Sequence, residues 1–186
     1  MKDLIQKSLE TANQRTKQTG LPRILHRNRS RNFVEALADS LRQQYHQNKS
    51  VYVLSKHYHA NRSNFGLNEL LFDILVCETD TVLSAAQKKN LTFVTRAIWE
   101  IESELSHNTR ESVFDFNKLI LGASENKLFI GTQVSDEPKL LDTLLSPAKF
   151  CNSNTYIALV PHPANWGKQP LSARIWKFQN NSWTQL

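Results

Sequence analysis

The sequence predicts an α/β chain, α+β in the sense of one mixed sheet with helices on its faces, and three observations carry that expectation. Short runs rich in Val, Ile, Phe, Tyr and Trp, bounded by polar turn residues, recur at 50–55, 68–76, 92–104, 127–132, 155–160 and 172–178, as buried strands do. Between them, apolar residues fall at helical spacing over 31–47, 110–121 and 136–147. At 186 residues the chain is long enough for one domain with a sizeable core.

Taken in order, residues 3–18 make a modest helix through Leu4, Ile5, Leu9 and Ala12 that Gly20 and Pro22 end. Residues 1–30 are read as a basic arm or a first helix, and 31–186 as a single domain. Val34, Leu37, Ala38, Leu41 and Tyr45 form the apolar face of the next helix, with Ser30 or Asn32 as N-cap and Glu35 completing an Asn32-x-x-Glu35 capping box. A first strand follows at 50–55, then a polar, aromatic and basic link over 56–66, then the strand at 68–76. The connection 78–90 is expected to hold a short helical turn before the strand at 92–104. Thr109 caps a helix whose buried face is Val113, Phe114, Phe116, Ile120 and Leu121, with Arg110 and Asn117 inside that arc and Lys118 at its margin.

Gly122 and Asn126 bracket the turn into the strand at 127–132. Glu137 and Pro138 open a helix that Pro147 stops. Two last strands enclose a loop over 161–170, in which Trp166 and Lys168 either touch nucleic acid or anchor the loop on the sheet. Asn180 to Trp183 reads as a turn with an apolar clamp.

Composition narrows the function classes. Cys77 and Cys151 form neither a CxxC metal pattern nor a disulfide framework, so reduced thiols are expected. No eighteen-residue apolar run and no signal-like N-terminus is present, which points to a soluble, cytoplasmic protein with no membrane partner. The formal charge of +6 sits entirely in residues 1–31, where eight Lys/Arg face two Asp/Glu. Arg15, Lys17, Arg23, Arg27, Arg29 and Arg31 are suited to a polyanion, or else form a solvated tail. His57 and His59 have the spacing of a zinc pair without a second pair nearby, and read better as surface or groove histidines; Lys56 and Arg62 are candidate phosphate contacts.

The most informative stretch runs from residue 68 to 104. In an extended chain Glu100 and Glu102 share one face while Trp99 and Ile101 take the other, and Asp73 stands opposite Phe72 and Ile74. If the two strands pair, three carboxylates converge at one end of a sheet, where their repulsion calls for a cation.

The order helix, three strands, helix, strand, with Asp on the second strand and Glu-x-Glu on the third, resembles the PD-(D/E)xK superfamily of restriction-endonuclease-like phosphodiesterases. The resemblance covers residues 31–133 and is carried most by IWEIESEL, DFNKLILG and KLFIG. It implies a restriction-endonuclease-like core with a further helix and two strands, and a nuclease that hydrolyses DNA with Mg²⁺, or Mn²⁺ as substitute. Asp73, Glu100 and Glu102 are the implied metal ligands and catalytic acids, with Glu35 from the first core helix joining them. RNA is the alternative polyanion, and a homodimer suits duplex cleavage. Here Glu102 stands where the family's Lys is usual, so Lys118 of the following helix is the candidate replacement. Arg23, Arg27, Arg29, Arg31, Lys56, Arg62 and Arg110 are the candidate nucleic-acid contacts. The competing readings are a non-catalytic nucleic-acid-binding or protein-interaction module on a degenerate nuclease fold, and an unrelated α/β protein with strand-borne edge charges.

Overall fold

A computed structural model describes residues 1–16, 21–168 and 170–186. Lys17 and the expected helix-ending Gly20 lie outside the described residues. The elements are α1 (Lys2–Arg15), α2 (Pro22–Tyr45), β1 (Val51–Ser55), α3 (Asn61–Phe65), β2 (Ile74–Ser84), β3 (Lys89–Glu104), α4 (Thr109–Leu121), β4 (Asn126–Thr132), α5 (Glu137–Ala148), β5 (Asn154–Val160), β6 (Arg174–Gln179) and β7 (Ser182–Gln185). The seven strands among the described residues form one sheet in chain order. β3, β4 and β5 run parallel, and the remaining neighbours pair antiparallel. The class is therefore the expected mixed α and β one. Among the described residues no helix is long and apolar enough to cross a membrane.

Two cores sandwich the sheet. On one face Ile5, Leu9, Phe33, Leu37 and Leu41 of the first two helices pack on Val53, Ile74, Val76, Ile101, Leu128 and Ile130. On the other, Phe116, Leu119, Leu140 and Leu144 of α4 and α5 pack on Leu75, Phe129, Ile157 and Leu159. Alternation along each strand feeds both faces. The two parallel crossovers, through α4 and α5, bring the carboxyl ends of β1, β3, β4 and β5 and the start of β2 to one edge.

Several expectations need correction. Of the two readings of the N-terminal segment, the first helix laid on the domain is the one seen, with Ile5, Leu9 and Ala12 fully buried. The second helix starts nine residues before the expected 31, with Pro22 in its first turn, where a missing N–H costs nothing. Asn32 and Glu35 are therefore mid-helix and form no capping box: Asn32 Nδ2 donates to Thr16 Oγ1 at 2.9 Å. The strand expected at 68–76 begins only at Ile74, so Asp73 lies at its entrance.

The connection 78–90 is not helical but a hairpin paired from Thr79↔Val94 to Ser84↔Lys89, closed by a turn in which Lys88 has φ 53°. Asn108, not Thr109, caps α4 by accepting from Arg110 N at 3.1 Å. That helix buries Ser112, Phe116 and Leu119, whereas Arg110, Phe114, Asn117 and Leu121 are exposed. Pro147 lies inside α5 near its end. The expected turn is present at Asn180 and Asn181, which have φ 51° and 57° and join β6 to β7, and Trp183 clamps it by meeting the Phe178 ring edge-on and donating to Leu141 O at 2.9 Å.

Arg29 shows how the first helices are tied to the sheet edge. It is 3% exposed and donates to Pro163 O and, at 2.6 Å, to Trp166 O. Trp166 in turn donates to Pro161 O at 2.8 Å and meets the Phe33 ring edge-on, the anchoring role rather than a base-stacking one. Arg29 is thus a structural clamp and is not free for phosphate. Replacing it by Met is expected to leave both carbonyls unpaired and lower the unfolding free energy by about 2–4 kcal/mol, measurable by urea titration, with Arg27→Met as the nearly neutral control.

Candidate active site

The site grows from the pairing of β2 with β3. Ile74 lies opposite Ile101, so one residue earlier Asp73 comes opposite Glu102. Ser103 fixes it there: Asp73 Oδ2 accepts from Ser103 N at 3.0 Å and from Ser103 Oγ at 2.6 Å. Burial pushes the Asp73 carboxyl above its usual range, and the two Ser103 hydrogen bonds oppose the shift without cancelling it.

Glu102 is the more perturbed partner. Its side chain is buried under α4, Oε2 accepts from Lys118 Nζ at 3.1 Å, and Oε1 has no hydrogen-bond partner. Burial first, and then the charge of Asp73, push its carboxyl up to about 8 despite the ammonium beside it. Lys118 also pairs with Asp115 at 2.8 Å, the i,i+3 neighbour on α4. Burial works against its charged form, but its hydrogen bonds and charge contacts with Asp115 and Glu102 hold it above the usual lysine value. About half of the Lys118 side chain still faces solvent.

Glu100 is turned to other work. Its Oε1 accepts from Ala123 N at 3.0 Å and Ser124 N at 3.2 Å, the turn that follows α4. Its Oε2 occupies the space a side chain at 122 would need, since a Cβ on Gly122 would lie 1.8 Å from it. Buried Lys127, opposite Glu100 on β4, donates to Gly122 O at 2.8 Å and holds the same turn from below. The expected convergence of three carboxylates is therefore a pair, Asp73 and Glu102, and among the described residues no group of three or more His, Cys, Asp or Glu is placed to hold a metal ion.

Glu35 also supports the fold locally. It accepts from Ser55 Oγ at 2.9 Å and His57 N at 3.1 Å, pinning the end of β1. His59 Nδ1 meets Asn68 Nδ2 at 3.0 Å, so the two histidines serve different partners.

The candidate nucleic-acid contacts divide by position. Arg23, Arg27 and Arg31 are exposed at i, i+4 and i+8 on α2 and form a cationic stripe. Lys56 is exposed and 3.8 Å from Glu69. Arg62 is exposed on α3, and Arg110 lies over the Phe114 ring at the start of α4.

Sequence reasoning missed Ser103, Asp115 and Lys127. The Asp115-x-x-Lys118 spacing was a readable signal for one ion pair; a lysine opening the apolar run KLFIG was a readable sign of a buried, satisfied cation.

The raised carboxyl of Glu102 gives a pH dependence with a definite sign. Its folded value of about 8 exceeds the ordinary glutamate value of 4.5, so the folded state binds the proton more tightly. That stabilisation is complete below about pH 4.5 and disappears as pH rises through 8. In metal-free buffer, urea unfolding is expected to show stability falling across that window, and Glu102→Gln is expected to flatten the fall. For the Glu100 clamp, Gly122→Ala is expected to cost about 2–3 kcal/mol in wild type and markedly less in the Glu100→Ala background, a coupling read by a double-mutant cycle. Compared with protein-family models, curated proteins and solved structures, the chain finds no match in any of the three.

Proposed function

We propose that this chain is a metal-dependent phosphodiesterase acting on DNA, with Asp73, Glu102 and Lys118 at its centre. The observation that carries the reading is the meeting of two carboxylates from adjacent strands, one with an unpartnered buried oxygen, beside a half-exposed lysine. The succession α2, β1, β2, β3, α4, β4 supports a restriction-endonuclease-like core, with α3 as a short addition between β1 and β2.

The residues fit a divalent ion. Mg²⁺ commonly takes only one or two carboxylates and keeps several waters, and the mutual repulsion of Asp73 and Glu102 is relieved by a cation. Asp73 and Glu102 would hold it, and when bound it would neutralise phosphodiester charge and lower the pKa of a bound water. Mn²⁺ offers the same preference for oxygen donors.

The chain's own groups do the rest. Ser103 keeps Asp73 aimed at Glu102 rather than at solvent. Asp115 holds the ammonium of Lys118 at the cluster's rim, where it can donate to a non-bridging phosphate oxygen and take the part of the family's lysine, whose position Glu102 holds. The stripe of Arg23, Arg27 and Arg31 lies on the part of α2 that Arg29 fastens to the β5 end of the sheet, the same edge as the acids, and suits a nucleic-acid backbone. Arg110 begins α4 at that edge as well.

The alternative is a non-catalytic nucleic-acid-binding or protein-interaction module on the same fold. One observation favours it: Lys118 already bridges Glu102 and Asp115, so the acids are partly neutralised without a metal. Incubation of the full chain with DNA oligonucleotides and Mg²⁺ or Mn²⁺ separates the two. Cleavage is expected, lost in Asp73→Ala and Glu102→Ala, lowered about a hundredfold in Lys118→Ala, and retained within about tenfold in Glu100→Gln, which keeps the accepting oxygen. Retention of cleavage in Glu102→Ala would sink the assignment; binding without cleavage in wild type would select the module.

A further inference from the structure

The turn that leads into Asp73 carries a backbone that its sequence does not favour. Leu71 has φ 65°, in the left-handed region that branched side chains rarely enter. Phe72 N donates to Leu70 O at 2.8 Å, closing a three-residue γ-turn around it, the strained member of that class. Glycine would sit there freely, yet the residue is leucine and its side chain is 81% exposed. Neither burial nor backbone preference accounts for an apolar side chain at this position. Strain of this kind gathers at ligand sites.

A second leucine shares the same space. Leu121, the last residue of α4, is 87% exposed. It lines, with Leu71, Phe72, Lys118, Gly122 and Glu100, a pocket of about 480 Å³ whose walls are mainly apolar. Two polar groups border it. Lys118 belongs to the Asp73–Glu102 cluster, and Glu100 has an Oε2 with no hydrogen-bond partner. The pocket therefore offers apolar walls, a cation shared with the site proposed for the phosphodiester, and one acceptor lacking a donor.

A nucleobase matches all three. Its faces are apolar, its edge carries N–H groups, and it is attached to the phosphodiester that Lys118 would contact. A second phosphate would meet Glu100 with repulsion, and an alkyl chain would leave that acceptor unpaired. A base inside intact duplex is stacked and cannot enter such a pocket.

We propose that this pocket receives an unpaired base of the strand being cut, with Leu71 and Leu121 as its walls, so that the preferred substrate is single-stranded DNA. The inference rests on the phosphodiesterase reading above and names its substrate class. Stacking of bases on apolar and aromatic surfaces supplies affinity with little dependence on sequence, so broad sequence tolerance is part of the expectation.

The test uses the full chain with Mg²⁺ or Mn²⁺, a single-stranded oligonucleotide and the same sequence as duplex, and follows cleavage rate and thermal midpoint together. Wild type is expected to cut the single strand at least tenfold faster than the duplex. Leu71→Gly removes the strained side chain, so its midpoint is expected to stay or rise while the single-strand rate falls at least fivefold. Leu121→Ser, at a solvent-exposed position, is expected to keep the midpoint and lose rate in the same way. Equal or faster cutting of duplex overturns the inference, as does a single-strand rate unchanged in both variants. If wild type cuts neither substrate, the phosphodiesterase reading itself fails, an outcome distinct from cleavage that is indifferent to Leu71 and Leu121.

Discussion

The site depends on how charge is stored between the sheet and α4. Glu100, Glu102 and Lys127 are almost fully buried there, and a buried charge without a partner is costly enough to unfold a small domain. Glu100 and Lys127 solve this on the same short turn, the acid taking the N–H groups of Ala123 and Ser124 and the ammonium giving to the carbonyl of Gly122. Opposite signs thereby use opposite ends of the peptide dipoles, and the turn is gripped from two strands at once. Because Gly122 N still donates to Lys118 O at 3.2 Å, fixing the turn also fixes Lys118 one helical turn earlier, against Glu102. Glu100 thus helps to position the lysine that pairs with Glu102.

The sheet's topology does the rest of the gathering. A meander of β1, β2 and β3 followed by parallel crossovers sends the ends of β1, β3, β4 and β5 to one edge. Loops there need no regular backbone pairing and are free to carry polar groups. His26, His107 and His162 collect at that edge, with His107 and His162 stacked at 4.2 Å between ring centroids and His26 edge-on to His162. Burial, then its two histidine neighbours, push His162 down to about 4, so it is neutral near pH 7 and accepts from Ala164 N through Nδ1. The same edge receives the basic end of α2 because Arg29 is consumed in fastening it. One cation of the N-terminal segment is spent on position so that Arg23, Arg27 and Arg31 can face solvent together.

Period and composition made the strands and helices legible, and strand neighbours made Asp73 and Glu102 legible. Where the reading failed, a tertiary partner decided. The hairpin at Thr79–Val94 was written in the alternation of TDTVLS and NLTFVT, but Ala85, Ala86 and Lys88 resemble a helical turn when read alone. The early start of α2 was hidden by its charge: four arginines between residues 23 and 31 look like a solvated tail unless one of them is buried against loop carbonyls. Alternation correctly placed Glu100 and Glu102 on one face, yet equal facing is not equal function. Which acid meets the turn after α4 and which meets Lys118 depends on where along the strand the helix ends, a length that periodicity does not measure.

This difference in fate sets Glu100 apart from the pair that Glu102 makes with Asp73. Glu100 gives one oxygen to two backbone donors of the turn after α4, and its Oε2 has no hydrogen-bond partner. Glu102 is matched to one half-exposed lysine, also keeps an oxygen without a partner and, unlike Glu100, faces a second carboxylate. Burial and the charge of Asp73 therefore favour its protonated form up to about pH 8. A site in that condition responds to whatever brings positive charge, whether a proton, the Lys118 ammonium or a hard cation. A fully satisfied site would respond to none of them.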